Sequence, residues 1–288
     1  MPSCLNPIET SDSTINNLDE KRWSVYNGDA VQVLKTLPDN SYNCIVTSPP
    51  YYWLRDYGTD EQIGKEDTVE QYIFSVCAVF DEIYRVMKDD GLVFINLGDT
   101  YYSGKGQSHG VDKKSRKRRF GLRAVDKSGG LDIGIKPKSL IGIPWRVALE
   151  MMKRNWTLRS SIIWYRKYSL PESVKDRPKR SYEHIFMFVK NRKYYFNQSA
   201  FGADEQGDVW TIVPRPKSAH LGTAPYPDEL VQRCLDMGCP PGGSVLDPFA
   251  GSGTTLRVAV QSGRFATGID NNPEFCQFMS SELQRISK

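Results

Sequence analysis

The sequence predicts an α/β fold with a largely parallel sheet and helices on both of its faces. Short apolar runs of strand length alternate with longer segments whose apolar residues recur at helical spacing. Strands separated by helices are typical of parallel sheets, because the chain must cross back over the sheet between two parallel strands and usually does so as a helix. Two of the apolar runs also end in unusual loops, one rich in proline and one rich in glycine. Loops of this kind at strand ends suggest two halves of one active site.

The first half of the chain alternates strand and helix. The predicted elements are a strand at 23–27, a helix at 30–37, a buried strand at 43–47, a helix at 68–87 and a buried strand at 92–97. The helix at 68–87 has the clearest apolar stripe, which consists of Val69, Tyr72, Ile73, Val76, Val79, Phe80, Ile83 and Val86.

The second half repeats the alternation. The predicted elements are a helix at 140–155, a strand at 158–165, a hairpin pair at 184–189 and 194–196, a helix at 227–237, a strand at 244–246, a helix at 253–261, a strand at 265–269 and a closing helix at 273–286. We expect residues 21–288 to form one domain, because the two unusual loops need each other, although the length allows two.

Three stretches lack apolar periodicity. Residues 1–20 are polar and are expected to form a flexible tail. Residues 101–138 are dominated by Gly, Lys, Arg and Ser, which makes them the best candidate for an inserted recognition segment. Residues 214–227 contain four prolines and are expected to form a loop.

Composition narrows the class of protein. With 39% hydrophobic and 25% charged residues the chain has an ordinary globular composition, and no apolar run approaches the roughly 20 residues of a membrane span. The first residues lack a basic and an apolar signal region, so we expect a cytosolic or nuclear protein and no membrane partner. The six cysteines are scattered without a CxxC pair, and three histidines are present in all. This argues against a disulfide framework and against a metal site.

The net charge of +4 is modest but unevenly distributed. Six cations lie within seven positions: Lys113, Lys114, Arg116, Lys117, Arg118 and Arg119. Such a run favours binding to a polyanion through counterion release. A solvated loop and a localisation signal are the alternative interpretations of this run.

The glycine-rich loop follows the strand at 244–246 and reads DPFAGSGTT over residues 247–255. A strand that ends in an acid, followed by a glycine turn and a helix, is typical of sites for nucleotide-like ligands. Gly251 and Gly253 let the backbone approach a ligand closely, and Thr254 and Thr255 open the helix. Asp270 ends the next strand, where an acid can accept both ribose hydroxyls. No lysine follows the glycines, so a triphosphate loop is excluded. A tight packing turn and a dinucleotide site remain alternatives to a single adenosine-bearing cofactor.

The proline-rich loop reads Ser48-Pro49-Pro50-Tyr51 and follows the strand at 43–47. Both prolines lack an N–H, so the loop offers acceptors, which suit an exocyclic amine with two hydrogens to donate. Hydrogen bonds to Ser48 Oγ and to the Pro49 carbonyl would hold the amine nitrogen facing a methyl donor. Tyr51 would stack on the base that carries the amine. Positioning alone can supply effective molarities of about 10⁵–10⁸ M. A simple proline stop after a core strand is the alternative.

With these two loops the chain resembles the DNA amino-methyltransferases, the S-adenosylmethionine-dependent enzymes that methylate cytosine N4 or adenine N6. The proline loop precedes the glycine loop, which is the order of the β group of that family. The resemblance spans roughly residues 23–285 and includes the stretches 54–58, 96–99, 171–178, 182–186 and 245–249. It implies a Rossmann-like, largely parallel sheet of seven strands with helices on both faces and a small inserted target-recognition segment.

The resemblance also implies roles for individual residues. Asp247, Phe249, Gly251 and Gly253 would hold the methionine end of S-adenosylmethionine with Thr254 beside them, Asp270 would bind the ribose, and Gly28-Asp29 would approach the adenine. Family members flip the target base out of the duplex into a pocket, at a cost of roughly a few kcal/mol, and Tyr51, Tyr52 and Trp53 could supply stacking for that base. The cations at 113–119 would contact phosphates without reading the sequence.

The resulting expectation is a site-specific methyltransferase for double-stranded DNA. Serine at the first loop position favours cytosine N4, with adenine N6 as the alternative and an RNA or protein-glutamine methyltransferase as a more remote one. A non-catalytic DNA-binding module would tolerate loss of both loops, which are intact. The resemblance further allows a homodimer, a separate cognate restriction endonuclease and a bacterial cytoplasmic location, with a nucleus as the alternative. The stretches 166–171 and 220–227 depart from the family pattern near the mouth of the site.

Overall fold

The computed structural model describes residues 22–52, 62–102, 134–168, 172, 174–200, 207–214 and 225–287. The predicted tail at 1–20, Trp53, most of the recognition segment and all six cations at 113–119 lie outside the described residues. None of the described helices is long and apolar enough to cross a membrane.

One sheet of eight strands runs through the described residues. Its strands are β1 (Trp23–Asn27), β2 (Tyr42–Thr47), β3 (Met87–Leu97), β4 (Thr157–Tyr165), β5 (Tyr182–Val189), β6 (Val209–Thr211), β7 (Ser244–Asp247) and β8 (Phe265–Asp270). The order across the sheet is β1-β8-β7-β2-β3-β5-β4-β6. All neighbours are parallel except β5, which runs antiparallel to both β3 and β4. The predicted largely parallel α/β fold is therefore confirmed.

Six α-helices cover this sheet in the part of the chain that is described. They are α1 (Ala30–Thr36), α2 (Val69–Val86), α3 (Ile143–Lys153), α4 (Asp228–Gly238), α5 (Thr254–Gln261) and α6 (Pro273–Ile286). Local capping explains two of the starts. Thr68 and Gln71 form a reciprocal capping box at α2. Asp99 accepts hydrogen bonds from the backbone N–H groups of Gly142 and Ile143, which fixes the start of α3 three residues later than the apolar pattern predicts.

Two hydrophobic cores lie on opposite faces of the sheet. Alternate residues of β2 point to opposite sides, as the pleat requires: Ile45 joins the core that α1, α2 and α3 cover, whereas Cys44 and Val46 join the core that α4, α5 and α6 cover. Helices on both faces explain why β2 is buried along its whole length and reads as a continuous apolar run.

Two details of the sheet differ from the predictions. The described residues contain eight strands instead of seven, because the three-residue strand β6 adds to the edge beside β4 and is too short to show a period. The predicted hairpin between 184–189 and 194–196 is wrong. Residues 194–196 form no strand, and Tyr194 and Tyr195 pack against the second core, while β5 pairs with β3 and β4 instead.

The topology fixes where a ligand can bind. Strands β1, β8, β7 and β2 are parallel neighbours, so their carboxyl ends form one edge. The helix α5 that follows β7 packs on one face, and the helix α2 that follows β2 packs on the other. This is a topological switch point, and the crevice between β7 and β2 is the place where ligands bind in open α/β sheets.

Candidate active site

The two loops that the sequence singles out meet at this crevice. Strands β2 and β7 are hydrogen-bonded neighbours, with Cys44 beside Val245 and Ile45 beside Leu246. The hydroxyl of Thr47, the last residue before the proline loop, donates a 2.7 Å hydrogen bond to Oδ1 of Asp247, the first residue of the glycine loop. The structure therefore places the predicted amine-binding loop directly beside the predicted cofactor loop.

Asp247 lies at the centre of a buried hydrogen-bond network. Its carboxylate is 1% exposed and accepts four hydrogen bonds: at Oδ1 from Thr47 and from the backbone N–H of Phe249 at 3.1 Å, and at Oδ2 from Thr255 Oγ1 at 2.6 Å and Tyr226 at 2.9 Å. Burial raises the pKa of this carboxyl, and the four donors oppose the rise. In the structure the acid holds protein groups together, and its predicted contact with a cofactor stays a prediction.

The hydroxyl groups of Tyr226 and Thr255 were not predicted from the sequence as donors to Asp247. Tyr226 lies two residues before the start of α4, and Thr255 lies in the first turn of α5. A signal was present, since polar residues at the ends of apolar strands and at helix starts are candidates for a shared edge. Their common partner could not be inferred, because it depends on which strands are neighbours.

Two glycines shape the turn that follows β7. Gly251 has φ of 53° and Gly253 has φ of 78°, both in the left-handed region that favours glycine. A Cβ on Gly253 would lie 2.6 Å from Met279, so packing against α6 also requires this glycine. At Gly251, no atom of the described residues lies within 4 Å of an added Cβ. This open space above a left-handed turn fits the close approach of a ligand.

Acidic residues flank the same turn at the ends of neighbouring strands. Asp270 Oδ2 accepts the N–H of Gly251 at 2.8 Å, and its Oδ1 accepts the N–H of Asn272 at 2.9 Å. Burial raises the pKa of Asp270 to about 6. Asp29 is exposed at the end of β1, where its side chain caps α1 through the N–H of Gln32. Two carboxylates and an open glycine turn at one edge fit an adenosine-bearing cofactor with hydroxyls to donate.

The proline loop carries one carbonyl that accepts no hydrogen bond from the described residues. Ser48 is half-buried, Pro49 is buried, and the Pro50 carbonyl accepts a 2.9 Å hydrogen bond from the hydroxyl of Tyr72 on α2. Among the described residues the carbonyl of Pro49 accepts no hydrogen bond. Ser48 Oγ and the Pro49 carbonyl are the two acceptors predicted to bind an amine. The Pro50 carbonyl has a different role, because its hydrogen bond from Tyr72 anchors the loop.

Tyr51 is held at both its ring edge and its hydroxyl. A Cβ on Gly98 would lie 2.7 Å from the ring, so the ring packs directly on the backbone after β3. The hydroxyl donates to Glu183 Oε2 at 2.7 Å, with Asn96 Oδ1 at 3.3 Å. Burial and, next, the charge of Glu183 raise the pKa of Tyr51 well above its usual value, so the phenol stays protonated. Arg166 donates to the other oxygen of Glu183 at 2.9 Å.

The predicted recognition segment begins and ends just beyond the strand end on which Tyr51 packs. The N–H of Tyr102 donates to the Ser139 carbonyl at 2.9 Å, and the N–H of Lys138 donates to the Tyr102 carbonyl at 2.8 Å. The two described ends of the segment thus lie side by side after β3. The phosphate-binding role of the cations between them stays a prediction.

Together the fold and the site define a class of α/β enzymes that bind a nucleoside cofactor at the switch point of a parallel sheet, with an acceptor-rich loop beside it. Residues 42–282 match the sequence model of a family described as DNA methylase, and the chain belongs to this family. The resemblance seen in the two loops is thereby confirmed. Enzymes of this family use S-adenosylmethionine, which confirms the predicted cofactor.

Individual relatives cover most of the chain. The chain is 42% identical over 269 residues to the type II methyltransferase M.XycI of Xanthomonas campestris pv. cyanopsidis, with 91% of this chain and 87% of the relative covered. It is 37% identical over 292 residues to the type II methyltransferase M.SmaI of Serratia marcescens, with coverage of 97% and 98%. The solved structure of PvuII DNA methyltransferase (cytosine-N4-specific) has a TM-score of 0.69 at 18% identity, covers 92% of this chain and 91% of its own, and is a likeness of fold alone.

Proposed function

We propose that the chain transfers the methyl group of S-adenosylmethionine to N4 of a flipped cytosine in double-stranded DNA, as the modification enzyme of a type II restriction–modification system. The main support is the contact between Thr47 and Asp247, which joins the amine loop to the cofactor loop within one crevice. Serine at the first position of the amine loop favours cytosine. The two curated relatives are themselves named type II methyltransferases.

The chemistry follows from what each loop offers. The bound cofactor supplies an electrophilic methyl group on a positively charged sulfur. The amine nitrogen of a base is a weak nucleophile, because its lone pair is delocalised into the ring. Ser48 Oγ and the Pro49 carbonyl accept its two N–H hydrogens, orient the nitrogen and partly relieve the conjugation, while Tyr51 supports the face of the base. Orientation of this kind lowers the barrier without a covalent nucleophile. The nitrogen bonds the methyl carbon as the bond from that carbon to sulfur breaks, and one of the two nitrogen protons then passes along its hydrogen bond to water.

The cofactor side is assigned to the turn after β7 and to the acids around it. Gly251 leaves room for the methionine end together with Gly253, Phe249 and Thr254. Asp270 accepts the ribose hydroxyls, and Asp29 approaches the adenine from the end of β1. Asp247 contributes by holding the two loops together, through its hydrogen bonds with Thr47 and with the backbone of Phe249.

The decisive experiment identifies the methylated base. Duplex DNA methylated by the protein is digested to nucleosides and analysed by mass spectrometry, and we expect N4-methylcytosine. A product that contains N6-methyladenine alone would overturn the choice of base. Methyl transfer to RNA but not to duplex DNA, measured with a tritiated cofactor, would overturn the substrate class.

A serine substitution tests the amine loop. Ser48→Ala is expected to lower kcat about tenfold or more, the effect of losing one hydrogen bond that orients the nitrogen. Ser281→Ala is the matched control, because Ser281 is exposed on α6 and bonds within its own helix. Equal kcat for both variants would remove Ser48 from the site.

Partners other than DNA are proposed on the resemblance alone. The cations at 113–119 are assigned to phosphate contacts beside the pocket. A homodimer and a separate cognate endonuclease stay predictions. Sedimentation of the free protein would test the homodimer, and an assay of host-cell extract for cleavage of unmethylated DNA would test the endonuclease.

A further inference from the structure

The amino end of β5 brings a carboxylate to the catalytic edge. Strand β5 runs antiparallel to β3, and Leu97, the last residue of β3, pairs with His184. The residue before His184 is therefore located where the parallel strands end. This residue is Glu183, whose side chain is 12% exposed.

Glu183 links a cation to the tyrosine of the amine loop. Its Oε2 accepts the Tyr51 hydroxyl at 2.7 Å, and its Oε1 accepts Arg166 Nη1 at 2.9 Å. Both carboxylate oxygens are thus engaged by groups that approach from different strands and loops. The Arg166 side chain is 25% exposed, so the pair is partly shielded from water and is screened less than a surface pair.

We propose that Glu183, held by Arg166, is a positioning residue that fixes the plane of the Tyr51 ring and thereby the plane of the base that stacks on it. The proposal rests on the proposed function, because it assumes a planar acceptor on Tyr51. The ring is held by its backbone in the proline loop, by the close approach to Gly98 and by the hydrogen bond to Glu183. The contact with Gly98 limits rotation of the ring about its own axis. The hydrogen bond to Glu183, with Asn96 Oδ1 at 3.3 Å, fixes where the hydroxyl end of that axis lies.

A fixed ring plane matters because methyl transfer requires alignment. A base that stacks on Tyr51 takes its tilt from the ring, and its amine nitrogen must face the methyl group in line. Small misplacements of a reacting group can cost about 10²-fold in rate. Loss of the Glu183 contact is therefore expected to lower kcat and to leave the KM for DNA little changed, since the stacking face itself remains.

A double-mutant cycle separates this role from a merely structural ion pair. Glu183→Gln and Tyr51→Phe are each expected to lower the rate constant of methyl transfer, measured in single-turnover experiments, about tenfold. Combined, they are expected to lower it no further than Tyr51→Phe alone, because Tyr51→Phe removes the hydrogen bond that Glu183→Gln weakens by taking away the charge. Glu150→Gln is the control: it weakens the ion pairs of Glu150 with Lys153 and Arg154 at the end of α3, and it changes no contact of Glu183 or Tyr51. Additive losses, or an unchanged kcat in Glu183→Gln, would overturn the proposal.

A second measurement does not depend on DNA. With 3-fluorotyrosine at position 51, the fluorine NMR signal of the free protein reports the environment and the motion of the ring. Glu183→Gln is expected to shift and narrow this signal, whereas Glu150→Gln leaves it unchanged. If the wild type transfers no methyl group to DNA, the proposed function fails, yet the fluorine signal still decides whether Glu183 fixes the ring. An unchanged signal in folded Glu183→Gln protein would overturn the positioning role.

Discussion

The hydroxyl of Thr47 and the carboxylate of Asp247 form a buried 2.7 Å hydrogen bond across a separation of 200 positions. Thr47 precedes the amine loop and Asp247 begins the cofactor loop, so the bond sets the distance between the two halves of the site. It stands beside three further hydrogen bonds to the same carboxylate. Shifting either strand end would break contacts on both sides, which makes the relative placement of the loops rigid.

Thr47→Val tests this coupling, because valine keeps the shape and removes the donor. A hydrogen bond to a buried charged group contributes about 2 kcal/mol, so a loss of stability of that size is expected in urea denaturation. Methyl transfer should fall as well, because one loop loses its tie to the other. Thr211→Val, on the exposed side of β6, is the control and should leave both quantities unchanged. A stable Thr47→Val protein with full activity would contradict the coupling.

The affinity for S-adenosylmethionine is expected to depend on pH through Asp270. Burial raises the pKa of this carboxyl to about 6, so it is ionised at pH 7 and becomes protonated as the pH falls. A protonated carboxyl is a poorer acceptor for the two ribose hydroxyls, and the Kd should therefore rise up to about tenfold per pH unit below 6. Calorimetric titrations between pH 5 and 8 measure this.

The raised pKa of Asp270 also makes the folding stability depend on pH. In the unfolded chain the carboxyl of Asp270 titrates near its ordinary, lower value, so burial of its charge destabilises the fold above about pH 6. That cost shrinks as the pH falls below 6 and is gone below the ordinary carboxyl pKa of 3.8. Asp270→Asn should bind the cofactor weakly at every pH and should lack the step in Kd. A step that persists in this variant would assign the pH dependence to another group.

Gly251→Ala separates cofactor approach from backbone strain. Gly251 at φ of 53° and Gly242 at φ of 69° are both left-handed, and an added Cβ meets no described atom within 4 Å at either position. Alanine at each position should therefore cost a similar 1–2 kcal/mol of stability, about the usual penalty for this conformation. Gly242 lies before β7, at the opposite end of the strand from the cofactor turn.

The two alanine variants should differ in ligand binding. Gly251→Ala is expected to raise the Kd for S-adenosylmethionine at least tenfold, whereas Gly242→Ala should leave the Kd within twofold of the wild type. The two variants are compared at a temperature at which both are folded. Isothermal titration measures both. Equal affinities for the two variants would show that the open space above Gly251 is not the approach path.

The cations at 113–119 are expected to set the salt dependence of DNA binding. Each phosphate contact contributes about 0.9 to the slope of log K against log salt concentration, so replacing all six cations by glutamine should reduce the slope by several units. Fluorescence anisotropy with duplex DNA over a salt series measures the slope. An unchanged slope would favour a solvated loop or a localisation signal for this run.

Local patterns were sufficient for most elements, since the apolar runs and stripes predict β1, β2, β7 and all six helices to within a few residues. The roles of the two loops could be argued because each combines special residues within a short stretch. Contacts set by long-range pairing could not be predicted in this way. Glu183 faces Tyr51 only because β5 enters the sheet antiparallel between β3 and β4, a placement that no local pattern encodes.

The order of the strands in the sheet has a consequence for synthesis on the ribosome. Strand β1 is made first among the described strands, yet it pairs with β8, and the side chain of Asn27 bonds the backbone of Asp270 across 243 positions. A nascent chain that stops before β7 carries the complete Ser48–Tyr51 loop but has neither the glycine turn nor a partner for β1. Emergence of β7 and β8 therefore joins the described sheet and brings the predicted cofactor turn beside the Ser48–Tyr51 loop, so chains that stop before β7 are expected to transfer no methyl group.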